Sequence, residues 1–178
     1  MSMQQVIWCP VDIQSEMESL AKGVAAMGGR RALASMDSAN LSVVHVHGER
    51  HDLWWEFTLE ASFKWQAHLH RMRPDRYNRR LHRLTRALAL EGLLQREVAT
   101  LTHETRALAD LAVALLPEPE ILVWEEPFYL MGQEGAGRAA RLVRDLHREG
   151  MSLIASAQLL PGLQDLGVAP PAPLHLAR

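Results

Sequence analysis

Apolar residues along the chain follow two different periods. Short, nearly unbroken apolar runs occur at 6–9, 43–47, 121–125, 152–157 and 174–177. Runs of this length suit strands covered on both faces. Between them the spacing changes to three and four residues. Met17, Leu20, Val24 and Met27 form one such stripe, and Leu81, Leu84 and Leu88 a second. Leu108, Leu111 and Leu115 form a third, and Ala139, Leu142, Val143 and Leu146 a fourth. Side chains at that spacing share one helix face, and Gly150 stands where the fourth helix should stop. Strands separated by helices predict parallel βαβ units in an α/β fold. The longest stretch without a strand pattern, 54–117, reads as a helical subdomain inserted between two parts of the core sheet, 1–53 and 118–178. The segment after Pro161, rich in Pro and Gly, reads as loop ending in one last strand.

Composition narrows the function classes. The chain has 178 residues, 48% hydrophobic and 22% charged, with a formal net charge of -2. That suits one globular domain with a core. It gives no bulk signal for nucleic acid or membrane binding, although basic residues cluster between His68 and Arg86. The single cysteine, Cys9, allows no internal disulfide and fits a reducing compartment. No run reaches the ~20 apolar residues of a membrane span, and the first residues lack a signal-peptide pattern. The basic residues are nearly all arginine, the only lysines being Lys22 and Lys64.

Several local patterns invite chemistry. The run Gly132-Gln133-Glu134-Gly135-Ala136-Gly137-Arg138-Ala139 resembles a phosphate-binding loop with Arg in place of Lys. It does not follow a strand directly, and Ala139 offers no Mg²⁺ ligand, so it reads as a flexible loop leading into a helix. His45 and His47 share a strand face with His51 nearby, short of the three or four convergent ligands a metal site needs. They read as polar strand positions, and no metal is expected. Cys9, at the end of a strand, reads as an inert core thiol. Trp54 and Trp55 are adjacent, so they cannot both face one core, and one should lie at the surface or an interface. Glu125 and Glu126 end a strand, where acids are common.

The order of segments resembles a known family. The stretch LTHETRALADLAVALLPEPEILVWEEPFYLM, followed by a helix pattern and SLIASAQ, is similar to the second half of an ABC-transporter ATP-binding subunit. That family has LSGGQ, a helix, a short Pro-containing link, a strand ending in Asp-Glu-Pro, a helix, and a strand ending in a switch His. Here Thr102, His103 and Glu104 stand in the signature. Glu125 takes the Walker B position, Glu126 the general-base position, and Gln158 the switch-histidine position. Upstream, GERHDLWW is similar to a Gly-Gln-x-x-x-Leu-Trp-Trp segment of drug- and sodium-efflux exporters, with Glu49 at the Q-loop position. CPVDIQSE stands where the family has GPNGAGKS: Pro10 is kept, Ser15 replaces the lysine, and Glu16 replaces the Mg²⁺ ligand.

The resemblance implies an ABC cassette of the P-loop type, with a mostly parallel core sheet, an inserted helical subdomain, and the family's N-terminal antiparallel β-subdomain missing. It also implies that the ATP-handling parts are eroded. A phosphate nest needs glycines for its backbone geometry, and none remains between Cys9 and Met17. Asp12 and Glu16 bring negative charge, and Lys22 lies about two helical turns too far along. Without nest and lysine, charge stabilisation of phosphoryl transfer has nothing to act with. The expectation is a non-catalytic homologue with no cofactor, partnering an intact ATPase subunit, a membrane permease, or both, with a dimer as an option. Trp54 and Trp55 are the expected partner interface. The expected place is the cytoplasm, peripheral to the inner face of the membrane. The alternative is a divergent but active subunit that binds ATP and Mg²⁺.

Overall fold

A computed structural model of the protein describes residues 6–9, 42–46 and 53–156. Four strands form one parallel sheet: β1 (Val6–Cys9), β2 (Val43–Val46), β3 (Ile121–Trp124) and β4 (Ser152–Ser156). Their order across the sheet is β1-β4-β3-β2. Val6 pairs with Leu153, Ile121 with Ser152, and Val43 with Ile121. All four strands therefore end at one edge. Every residue of β3 is buried, as expected of a central strand in a sheet covered on both faces. The parallel α/β architecture expected from the apolar runs is present. The strand ends differ slightly: Glu125 lies just beyond β3, and His47 and Ala157 fall outside the described residues, as do 174–177 and the stripe from Met17 to Met27.

Four helices are described: α1 (Leu59–Leu69), α2 (Pro74–Ala87), α3 (His103–Leu115) and α4 (Gln133–Arg148). Thr58 caps α1 by accepting from the Ala61 N–H, and Thr102 caps α3 by accepting from the Thr105 N–H. Pro74 opens α2 in the first turn, where its missing N–H costs nothing. Two short 3₁₀ turns, Glu91–Leu93 and Val98–Thr100, join α2 to α3. Within 54–117 the only ladder contact described is an isolated antiparallel bridge between Thr58 and Glu97.

Helix α3 organises the core. It packs against β2, α1, α2 and α4, and from Leu108 to Leu115 every residue is buried. A helix enclosed on all sides should be apolar on all sides, and Leu108-Ala-Asp-Leu-Ala-Val-Ala-Leu115 nearly is. Small alanines there let neighbours approach closely. Helices α2 and α4 instead bury one face, with Leu84 of α2 and Ala139, Leu142, Val143 and Leu146 of α4 turned inward. Arginines of α2 tie it to the core: Arg80 donates to the Leu115 carbonyl at 2.7 Å, Arg76 pairs with Glu118, and Arg83 with Glu149.

Three helices stop in the same way. After α1, Met72 N–H bonds to Ala67 C=O and Arg71 N–H to His68 C=O. After α2, Leu90 bonds to Thr85 and Ala89 to Arg86; after α4, Met151 bonds to Leu146 and Gly150 to His147. These are Schellman caps, whose C′ residue takes a positive φ. Gly150 does so at 122°, Arg71 at 49° and Ala89 at 55°.

Candidate functional site

The carboxyl edge of the sheet is where ligands bind in open α/β folds. Of the residues expected to carry chemistry there, Pro10, Ser15, Glu16, Glu49 and Gln158 lie outside the described residues. Strands β1, β2 and β4, which precede them in sequence, end on the same edge as β3.

Glu125 and Glu126 follow β3 directly. The Glu125 N–H extends the ladder to the Val46 carbonyl at 2.8 Å, and its side chain is half-buried. Glu126 is exposed, with φ 44°, and Phe128 has φ 74°. Two non-glycine residues in the left-handed region fold the chain back sharply at this corner, at a cost of about 1–2 kcal/mol each. Packing holds the corner in place: the Phe128 ring meets Trp124 edge-on at 4.9 Å, and Pro127 is buried. Val46, Asp110, Trp124, Glu125, Glu126 and Phe128 line a narrow cleft here.

The signature position forms the start of α3. Thr102 is the cap, His103 the first helical residue and exposed, and Glu104 is half-buried in the first turn. Glu104 leans onto the start of α4. A Cβ built on Gly135 would meet Glu104 Oε1 at 2.3 Å, and one on Gly132 would meet both carboxylate oxygens at 3.4 Å. A side chain at Gly135 would therefore have to displace the Glu104 carboxylate from this position.

The phosphate-loop-like run Gly132–Ala139 needs a correction. It is not a flexible loop: Gly132 caps α4, and the residues from Gln133 onward are helical. Ala136 N–H bonds back to Gly132 C=O at 2.9 Å, and Arg138 pairs with Glu134 one turn earlier. From Ala136 onward the N–H groups belong to the helical ladder and are not free to form a phosphate nest. The glycines misled the reading because glycine usually weakens a helix. Here α4 is held by its buried apolar stripe.

The tryptophan pair faces two ways. Trp54 is 45% and Trp55 48% exposed. Trp54 packs against Phe57 at 5.2 Å and Trp65 at 5.0 Å, and Trp65 against His68 at 6.1 Å. Together with Ala61 and Lys64 these rings line an apolar groove along α1. Trp55 instead lies under the guanidinium of Arg106, 4.3 Å from the ring centre. The turn between them is pinned: Trp54 N–H donates to Ser62 Oγ, Val98 N–H to Phe57 C=O, and Ala99 N–H to Trp55 C=O. Trp65 and Arg106 were not singled out by sequence. Trp65 lies four residues after Ala61 on the exposed side of α1, a spacing that could have revealed it. Arg106 has no comparable signal.

Among the described residues no group of three or more His, Cys, Asp or Glu could hold a metal ion, and no helix is long and apolar enough to cross a membrane.

Comparison with known proteins agrees with this geometry. No family model matches the chain. In sequence, 108 residues, 61% of the chain, are 24% identical to the ABC transporter G family member 20 of Dictyostelium discoideum. They cover 15% of that protein's length. Among solved structures, an ATP-binding subunit of an ABC transporter superposes with a TM-score of 0.64 at 22% identity, over 70% of this chain and 52% of that one. The chain thus spans about half of that subunit and a small part of the transporter. Over the part that superposes, the chain has the α/β fold of an ABC-transporter ATP-binding subunit, with a parallel sheet flanked by helices.

Proposed function

We propose that this chain is a non-catalytic homologue of ABC-transporter ATP-binding subunits that acts as a partner of an intact ATPase subunit, a membrane permease, or both. The observation that supports it is the position of Glu104 at the head of α3. A glycine-rich turn and a bare helix N-terminus receive a phosphate through free N–H groups and positive dipole. Here the Thr105 N–H is already taken by Thr102 Oγ1 at 3.2 Å, and a carboxylate stands in the first turn beside the Gly132–Gly135 segment. That charge is the wrong sign for a triphosphate. Glu104 therefore does not fit a phosphate at this helix end. The replacements at Ser15, Glu16 and Gln158 argue in the same direction from sequence. The exposed rings at Trp54 and Trp55 support a partner surface.

The placement of Glu125 and Glu126 immediately after a central strand favours one second reading, a divergent but active subunit. Calorimetric titration with Mg-ATP separates the two. The non-catalytic reading expects no binding, or a dissociation constant in the high-micromolar range or weaker; a single low-micromolar site would overturn it. Ser15→Lys alone should yield no phosphate release, because parts of a catalytic unit are not additive. For the partner role, Trp54→Ala/Trp55→Ala should abolish co-purification with a co-expressed permease without unfolding the chain. Undiminished co-purification would count against it.

A further inference from the structure

Helices α2 and α4 carry the same basic ladder. Arg79, His82 and Arg86 are spaced three and four residues apart on α2, and Arg141, Arg144 and Arg148 repeat that spacing on α4. Side chains so spaced share one helix face. That face is turned away from the core: Arg144 is half-buried and the other five are exposed. The ladders adjoin, since α2 packs on α4 and Arg83 of α2 pairs with Glu149 just past the end of α4. Their charge is not cancelled locally. The two helices hold nine arginines and no lysine. Against these stand Asp75, Glu134 and Asp145 on the same helices, and Glu91, Glu118 and Glu149, which reach them from outside. Arg86 and Arg141 make no ion pair among the described residues. Arg79 pairs there with Asp75, one turn back at 3.3 Å, and both side chains are exposed.

Arginine meets a carboxylate with a planar fork, and this surface already shows it twice. Arg76 gives two N–H groups to Glu118, the Nε one at 2.9 Å, and Arg83 gives Nη1 and Nη2 to the two oxygens of Glu149. We infer that the exposed ladders receive an acidic helical segment of a partner protein, with carboxylates spaced by three and four residues to meet Arg79, Arg86 and Arg141. The charge pattern selects this occupant. Asp75, Asp145 and Glu149 stand among the arginines, so a nucleic-acid backbone, charged at every step, would be repelled between its contacts. A peptide can place acids only where an arginine stands. A membrane surface would be held by apolar side chains beside the charges, and none of the large exposed apolar residues lies on α2 or α4. Arg79 and Arg86 are about 10 Å apart along the helix axis, the separation of acids seven residues apart on a helix lying alongside. The inference goes beyond the partner reading above: it uses none of the residues around Trp54 and holds whether or not Mg-ATP binds.

The test uses the full chain and two labelled helical peptides of about 15 residues, long enough to lie along α2. Both carry the same glutamates on an alanine and glutamine background. In one the glutamates are spaced by three and four residues, and in the other they follow one another at one end. By fluorescence anisotropy at low salt, the spaced peptide should bind at least about fivefold more tightly than the clustered one, and both should weaken as salt rises. Arg79→Glu/Arg86→Glu should weaken the spaced peptide at least about tenfold, and a peptide with lysines in place of the glutamates should then bind that variant better than the parent. Arg79→Lys/Arg86→Lys keeps the charge and the fold, and should still weaken binding by about threefold, because an ammonium cannot fork onto a carboxylate. Thermal unfolding followed by circular dichroism checks that each variant is folded. Failure of the spaced peptide to bind at low salt, equal affinity for the two peptides, or binding unchanged in both double variants would overturn the inference. So would tighter Arg86-dependent binding of a DNA duplex, or of phosphatidylcholine/phosphatidylglycerol vesicles, than of the spaced peptide.

Discussion

The guanidinium of Arg106 lies over the Trp55 ring, 4.3 Å from its centre, and donates to the Leu101 carbonyl at 3.0 Å. Arg106 is only 8% exposed. One buried cation thus ties the 53–57 turn to the first turn of α3. Arg106→Met should lose the cation–π contact and the charged hydrogen bond, lowering stability by about 1–3 kcal/mol. Arg106→Lys should recover little, since an ammonium cannot both lie flat on the ring and reach the carbonyl. Urea unfolding followed by tryptophan fluorescence measures this; a Met variant as stable as the parent would refute the assignment.

Glu104 and Gly135 should be energetically coupled. An added Cβ at Gly135 would stand 2.3 Å from Glu104 Oε1 and must push the carboxylate aside. Alanine in a helix is otherwise favourable over glycine by about 1 kcal/mol. Gly135→Ala should therefore stabilise the chain more in a Glu104→Ala background than in the parent, with a difference of at least about 0.5 kcal/mol. Equal effects in both backgrounds would mean that Glu104 does not occupy that place.

The helix ends make opposite predictions at equivalent positions. Ala89 is exposed at φ 55°, so Ala89→Gly should stabilise by roughly 0.5–1 kcal/mol by relieving the left-handed backbone. Gly150 has φ 122°, and Gly150→Ala should destabilise by about 1 kcal/mol or more. Thermal unfolding of both variants is sufficient, and shifts of the same sign would contradict the cap geometry.

Glu149 and Tyr77 each make stability depend on pH. Hydrogen bonding to Arg83 holds the Glu149 carboxyl below the ordinary glutamate value of 4.5. A depressed carboxylate stabilises above its unfolded pKa, and that contribution disappears as pH falls through the folded one. Arg83→Gln should flatten the stability loss below pH 4.5, modestly, because the pair is partly exposed. Burial, helped by Glu60, pushes the Tyr77 hydroxyl up to about 12. Its contribution is complete below the unfolded value of 10.0 and disappears as pH rises through about 12. The hydroxyl is buried and finds no hydrogen-bond partner among the described residues. Tyr77→Phe should therefore stabilise by roughly 0.5–1 kcal/mol at neutral pH and flatten the alkaline limb. Urea midpoints from pH 3 to 12 test both groups.

The four described strands were legible because a strand buried on both faces must be apolar throughout, and Ile121–Trp124 is bounded by Pro119 on one side and by two glutamates on the other. The stop at Gly150 was legible because glycine announces a left-handed cap. The equivalent stops at Arg71 and Ala89 were not, since neither residue favours positive φ. The Gly132–Ala139 run was misread for a related reason: local glycine content argued for a loop, and burial of Ala139, Leu142 and Val143 against the core outweighed it.

The sequence by itself determined the alternation of strands and helices, the parallel sheet and the likeness to an ABC cassette. These depend on periodicity and order, which a linear chain displays. Only the tertiary structure decided which of two adjacent tryptophans turns to a groove and which to Arg106, and that Glu104 rests where Gly135 lacks a side chain. Those facts join residues far apart in the chain or side by side within it, and their geometry exists only once α1, α3 and α4 have packed together.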